Sequence, residues 1–188
     1  MVITLPVGPI RANCYIVADE RSGTGCVIDP GYDDQRMLRK IEETGLRVSH
    51  IILTHGHFDH ALGVNAVKEK TGALLYIHAD DLALYESGGT AGEFGIRIPK
   101  LPKPDGFLAD GQVLEAGGLA VRTLHTPGHS KGSVSLYIPS LGIVFTGDLL
   151  FASGIGRTDV EGGDTEELYR SIREKIFVLP DSRTVYPG

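Results

Sequence analysis

Three short apolar runs, at 2–7, 12–18 and 25–28, open the chain, parted by Gly8-Pro9 and Ser22-Gly23. Runs of that length between turn residues predict a β-meander. From Asp33 or Asp34 the period changes. Met37, Leu38 and Ile41 share one face of a helix that runs to about Thr44, with Gly45 as its stop. Val48 to Leu53 returns to a buried, β-rich run, and Ala61 to Lys70 reads as one helix with Gly72 past its end. Leu74 to His78 predicts a strand, and Ala79 to Tyr85 a short helix. Residues 86–106 carry no clear period, and their glycines, prolines and lysines fit a flexible lid. Strand-like pieces recur at 107–108, 112–115 and 119–125. A hairpin is expected from Ser133 to Ile138 and Gly142 to Thr146, turning about Pro139-Ser140. A helix starting at Asp164 or Thr165 runs to about Phe177, and Val185-Tyr186 forms a last short strand. Periodicity alone supports an α/β or α+β fold.

Composition narrows the class. With 188 residues, 41% hydrophobic and 22% charged, the chain reads as one globular domain spanning 1–188. A net charge of −6 argues against a nucleic-acid partner. No basic segment followed by an apolar one opens the chain, and no run approaches a membrane span. A cytoplasmic protein with no membrane partner is expected, and the oligomeric state stays open. Cys14 and Cys26, both in apolar runs, are expected as buried thiols rather than a disulfide.

The chemistry concentrates in Thr54-His55-Gly56-His57-Phe58-Asp59-His60, where a strand hands over to a helix. Residues two apart on an extended strand exit point the same way, so His55 and His57 can converge on one cation. Asp59 and His60 lie beyond the bend and can reach a second point nearby. Imidazoles with a carboxylate suit zinc, with iron or manganese as alternatives. Asp29, at another strand end, is a candidate partner for a ligating histidine or a simple turn cap. His78 reads as a strand-end hydrogen-bonding residue.

Thr-His-X-His-X-Asp-His resembles the hallmark of the metallo-β-lactamase superfamily. Further pieces follow in that family's order: Thr126-Pro127-Gly128-His129 and Gly147-Asp148. The resemblance covers nearly the whole chain. It implies an α+β fold, an αββα four-layer sandwich, with His55, His57, His129 and Asp148 at one metal site. Asp59 and His60 would share Asp148 at a second. His125 falls outside that set. The family usually carries one more histidine after a Tyr-Pro-Gly-like strand end, where this sequence stops at Gly188. A domain lacking its last segment, holding one or two zinc ions, is therefore expected.

Gly147-Asp148-Leu149-Leu150-Phe151 and Gly154-Ile155-Gly156-Arg157-Thr158-Asp159 are similar to the small, single-domain glyoxalase II-like hydrolases. The resemblance implies cleavage of a thioester, S-lactoylglutathione or a related S-acylglutathione, by a metal-bound hydroxide, with Asp59 as the catalytic carboxylate. Metal-bound water has a pKa of about 7, and a thiolate leaving group, with a pKa of about 8.5, needs no general acid. Lys100, Lys103, Lys131, Arg157 and Tyr85 are candidates to meet glutathione, though exposed cations and a packed tyrosine are the plainer reading. The same ligands are similar to those of persulfide dioxygenases with one iron. A metal-binding form without activity is a further alternative. A secreted antibiotic-degrading enzyme is not expected, because β-lactamases of this fold commonly carry cysteine where Asp148 stands.

Overall fold

Two β-sheets lie face to face, each backed by helices on its outer side. A computed structural model describes residues 1–32 and 35–188. The expected cap at Asp33 or Asp34 lies outside the described residues. Strands β1 (Val2–Val7), β2 (Ala12–Asp19) and β3 (Thr24–Ile28) form the predicted antiparallel meander. The same sheet then turns parallel through β4 (Arg47–Ile52), β5 (Leu74–His78) and β6 (Gly106–Leu108). Parallel pairing requires crossovers, and the helices α1 (Gln35–Thr44), α2 (Phe58–Ala61), α3 (Val64–Thr71) and α4 (Leu82–Ser87) lie in them. The second sheet holds β7 (Val113–Ala116), β8 (Leu119–His125), β9 (Val134–Ile138) and β10 (Ile143–Gly147) as an antiparallel run. A two-stranded ribbon, β11 (Leu150–Phe151) and β12 (Gly154–Ile155), leads to α5 (Thr165–Ser171), extended by a wider turn over Ile172–Ile176. Strand β13 (Thr184–Pro187) then joins β10 in parallel at the sheet edge.

The period of two along the strands explains the layers. On β2, Tyr15 and Val17 face the second sheet, where they meet Val121, Leu136 and Phe145. Cys14 and Ile16 face the other way, onto Met37 and Ile41 of α1 and Val64 and Val67 of α3. Val144 and Leu149 pack outward from the second sheet against Leu168, Ile172 and Ile176. Helix, sheet, sheet and helix make the αββα sandwich. Cys14 and Cys26 are buried on opposite faces of the first sheet, and no disulfide joins them. Burial pushes the Cys26 thiol up to about 12. No helix among the described residues is long and apolar enough to cross a membrane.

One expected element is corrected. The single helix over 61–70 is two helices, α2 and α3, which break at Leu62-Gly63. The Gly63 amide donates to Pro30 O at 2.7 Å. A side chain there would strike the Pro30 and Tyr32 carbonyls, so the strand-end loop at 29–32 dictates the break. Residues 86–106 are irregular, with one 3₁₀ turn at Ala91–Phe94, but they are fastened down. Phe58 N donates to Gly89 O at 3.0 Å, Asn65 Nδ2 to Lys100 O at 3.0 Å, and Tyr85 OH to Pro102 O at 2.9 Å. Ile96 and Ile98 pack on Phe58 and Leu62.

Candidate metal centre

Both sheets end at one edge, and the predicted site residues meet there. Leu53 extends β4 by donating to Tyr76 O at 3.0 Å, and Thr54 O accepts from Val134 N of the second sheet at 2.8 Å. The chain is thus held from both sheets just before His55. His129 arrives on the turn that follows β8. Gly128 there has φ 134°, and any side chain on it would collide with the backbone of Leu168 at α5. Asp148 follows β10.

The three imidazoles converge. Ring centroids of His55 and His57 lie 4.9 Å apart, His55 and His129 4.9 Å, and His57 and His129 4.7 Å. His57 Nδ1 faces His129 Nε2 at 2.9 Å. The far nitrogens of His129 and His55 are already committed, which fixes what those two rings point inward. His129 Nδ1 donates to Arg157 O at 2.7 Å, leaving the Nε2 lone pair for the centre. His55 Nδ1 sits 3.0 Å from Thr54 Oγ1, whose own hydroxyl donates to Asp29 Oδ2 at 2.6 Å. His55 Nδ1 must therefore be the donor to Thr54, and Nε2 keeps its lone pair.

A second group adjoins the first. His60 Nδ1 donates to Asp29 Oδ2 at 3.0 Å, and its Nε2 lies 3.3 Å from Asp148 Oδ1 and 3.8 Å from Asp59 Oδ2. The other oxygen of Asp148, Oδ2, is 3.7 Å from His129 Nε2, so this carboxylate spans the two groups. Asp29 is the histidine partner that its strand-end position allowed. It also accepts from Thr54 N at 2.7 Å and serves both His55, through Thr54, and His60. The last residue, Gly188, donates to Gly147 O at 2.8 Å and lies beside Asp148 and His60.

Electrostatics match the geometry. Burial, with His60 and His129 nearby, pushes His55 well below the usual histidine range, and burial with His129 takes His57 down to about 3. Both rings are neutral at pH 7 and offer lone pairs. Burial opposes charge on His60, but Asp148 and Asp29 outweigh it and hold this imidazole well above its usual range. Burial likewise opposes charge on Asp148, but His60 outweighs it and keeps the carboxyl low. Asp59 is raised, by burial first, with Asp148 adding to it.

A cation fits these residues. His55 Nε2 is buried with no hydrogen-bond partner among the described residues, and the inward His57 Nδ1 faces only the lone pair of His129 Nε2. A buried polar atom left unpaired is costly unless something fills the gap. Ligand atoms of His55, His57 and His129 lie within 4.8 Å of one another, as do those of Asp29, His55 and His60. Three imidazoles with carboxylates suit zinc or iron rather than magnesium or calcium.

Other expected residues fall elsewhere. His78 and His125 stack on each other, away from the cluster. Tyr85 is buried and tied to Pro102, and Arg157 is exposed and paired with Asp159, Nε to Oδ1 at 2.8 Å. Asp81 carries more than its sequence context indicated. It is buried, and it accepts from Gly56 N at 2.8 Å, Ser130 Oγ at 2.7 Å and Gly132 N at 2.6 Å. One carboxylate thus braces the loops of His55 and His129 together.

The fold and the histidine centre define a metallo-hydrolase of the αββα type. A family model described as the metallo-beta-lactamase superfamily matches residues 7–188, and the chain belongs to that superfamily. It is 40% identical to a probable metallo-hydrolase of Bacillus subtilis, YqgX, over 98% of this chain and 87% of that protein. It is 35% identical to the hydroxyacylglutathione hydrolase GloC of Haemophilus influenzae, over 98% and 88% respectively. It is 32% identical to the mitochondrial persulfide dioxygenase ETHE1 of Bos taurus, over 93% of this chain and 62% of that one. Among solved structures, BLEG-1, described as a B3 metallo-β-lactamase, matches with a TM-score of 0.94 and 34% identity, over 100% of this chain and 91% of that one. TTHA1623, solved in a di-iron-bound form, matches with a TM-score of 0.89 and 38% identity, over 99% and 91%.

Proposed function

We propose that this chain is a metal-dependent thioester hydrolase acting on an S-acylglutathione such as S-lactoylglutathione. The observation that carries the reading is the inward convergence of His55 Nε2, His57 Nδ1 and His129 Nε2 beside Asp148. These four residues would hold one ion, and Asp59, His60 and Asp148 a second, with zinc as the preferred metal. When bound, the metal supplies an activated water and a Lewis acid for the carbonyl oxygen. Asp59, beside His60 and Asp148, would orient the attacking water and take its proton on a carboxylate oxygen. Asp29 keeps His60 aimed by holding the proton on Nδ1. A thiolate leaves without protonation, so the lack of a dedicated acid among these residues is no obstacle. The relationship to GloC supports a glutathione carrier.

A second reading has its own support. ETHE1 is named a persulfide dioxygenase, and TTHA1623 was solved with iron. Protein loaded with zinc and protein loaded with iron should be assayed side by side. Loss of thioester absorbance from S-lactoylglutathione, with no oxygen uptake on glutathione persulfide, is the expected result. Oxygen uptake by the iron form without thioester cleavage would replace the hydrolase with the dioxygenase. Turnover of a chromogenic cephalosporin alone would replace both.

A further inference from the structure

His78 closes β5 in the first sheet and His125 closes β8 in the second, so the two meet across the sandwich. Their rings stack with centroids 4.2 Å apart and planes within 7°. Asp80, on the 3₁₀ turn Ala79–Asp81, completes a triad whose ligand-capable atoms all lie within 4.8 Å of one another. We propose that His78, Asp80 and His125 form a second, separate cation site for a borderline divalent ion such as zinc, stitching the two sheets together beside the principal centre.

The hydrogen bonds prepare the ligands. His125 Nε2 faces Lys131 O at 2.9 Å, and a carbonyl can only accept, so this nitrogen carries the proton and Nδ1 keeps a lone pair. His78 is lightly held: its Nδ1 accepts from Asp80 N at 3.3 Å and lies 3.7 Å from Asp80 Oδ2. Burial, with His125 alongside, lowers the His78 pKa, so protons do not compete for the ring at pH 7. Asp110 is already engaged, by His125 N at 2.9 Å and Lys175 Nζ at 2.7 Å, and adds negative charge beside the triad. Asp80 is largely exposed, so an ion can enter from solvent.

Capture requires one movement. Two parallel rings cannot share an ion in both planes, and tetrahedral zinc with bonds of 2.0–2.1 Å sets its ligand atoms about 3.4 Å apart. His78 turns about χ2, a broad torsion, and breaks the stack while His125 stays anchored. Two imidazoles and one carboxylate favour zinc, copper or nickel and leave magnesium and calcium weakly bound. Neither histidine touches the principal cluster, but Asp80 neighbours Asp81, the brace of both metal loops. Occupancy therefore stiffens the segment on which those loops rest.

The test uses the whole chain with its principal centre loaded and excess metal removed. Calorimetric titration with zinc at pH 7.5 should find one further equivalent at low-micromolar affinity, unaffected by millimolar magnesium. His78→Asn, whose amide can still cap the 3₁₀ turn, should weaken that step at least tenfold, and Asp80→Asn several-fold. With copper as the probe, electron paramagnetic resonance should report two coupled nitrogens, and one in His78→Asn. No further equivalent in the wild type would overturn the proposal. So would an equivalent that persists unchanged in the His78→Asn, His125→Gln double variant, provided its melting in chelator matches the wild type.

Discussion

Asp29 and Asp81 stand one step behind the histidines and decide how well they are aimed. Asp29 fixes the proton on His60 Nδ1 and, through Thr54, on His55 Nδ1. Asp29→Asn keeps the shape and removes the charge, so metal affinity should fall by about 10–100-fold, read by competition against a coloured chelator. Asp81→Asn turns an NH₂ group toward backbone amides that now find carboxylate oxygens. It should cost roughly 1.5–3 kcal/mol of stability in urea melts and weaken metal binding with it. An Asp81→Asn protein as stable and as tightly loaded as the wild type would show that the brace is dispensable. At this scale the sequence was partly legible. His55, His57, Asp59 and His60 are read from their spacing, because neighbours on a strand exit share a direction. Asp81 was not legible, since its partners Gly56, Ser130 and Gly132 lie 25, 49 and 51 positions away.

Elements were legible where one period ran unbroken. The meander, α1 and the β9–β10 hairpin follow their patterns closely. The α2–α3 break did not show, because helical spacing continues through Leu62-Gly63 and a distant loop imposes the stop. Gly63→Ala should therefore destabilise by about 1–3 kcal/mol, whereas an exposed helical glycine would gain from alanine. Thermal melts of the variant decide between these signs. Asp105, just before β6, ties that strand's entry to β5 and α3: its Oδ2 accepts from Leu75 N at 2.7 Å and pairs with Lys68. Burial opposes its charge, but the Leu75 amide and Lys68 outweigh it and hold the carboxyl below the usual range. A depressed folded-state pKa adds stability above about pH 4, the unfolded value, and loses it as pH falls through the folded one. Asp105→Asn should therefore be about 1 kcal/mol less stable than wild type at pH 7, with the gap closing as pH falls through the depressed folded-state pKa. A gap unchanged across that range would assign the effect to packing rather than charge.

At the scale of the molecule, two half-sites come from two sheets. His55, His57, Asp59 and His60 follow β4 of one, and His129 and Asp148 follow β8 and β10 of the other. The apolar layer between the sheets, with Tyr15, Ile28, Leu136 and Phe145 buried in it, holds these halves in register. Alternation along each strand announced two buried faces but not which sheet pairs with which, so the αββα order came from the family resemblance. The central claim is that metal held at this junction hydrolyses a thioester. The most direct measurement is the rate of S-lactoylglutathione cleavage while chelated protein is titrated with zinc. The account predicts no turnover in chelated protein and a rate that climbs in step with bound zinc. Equal turnover before and after loading, or full loading with no thioester cleavage, would contradict it.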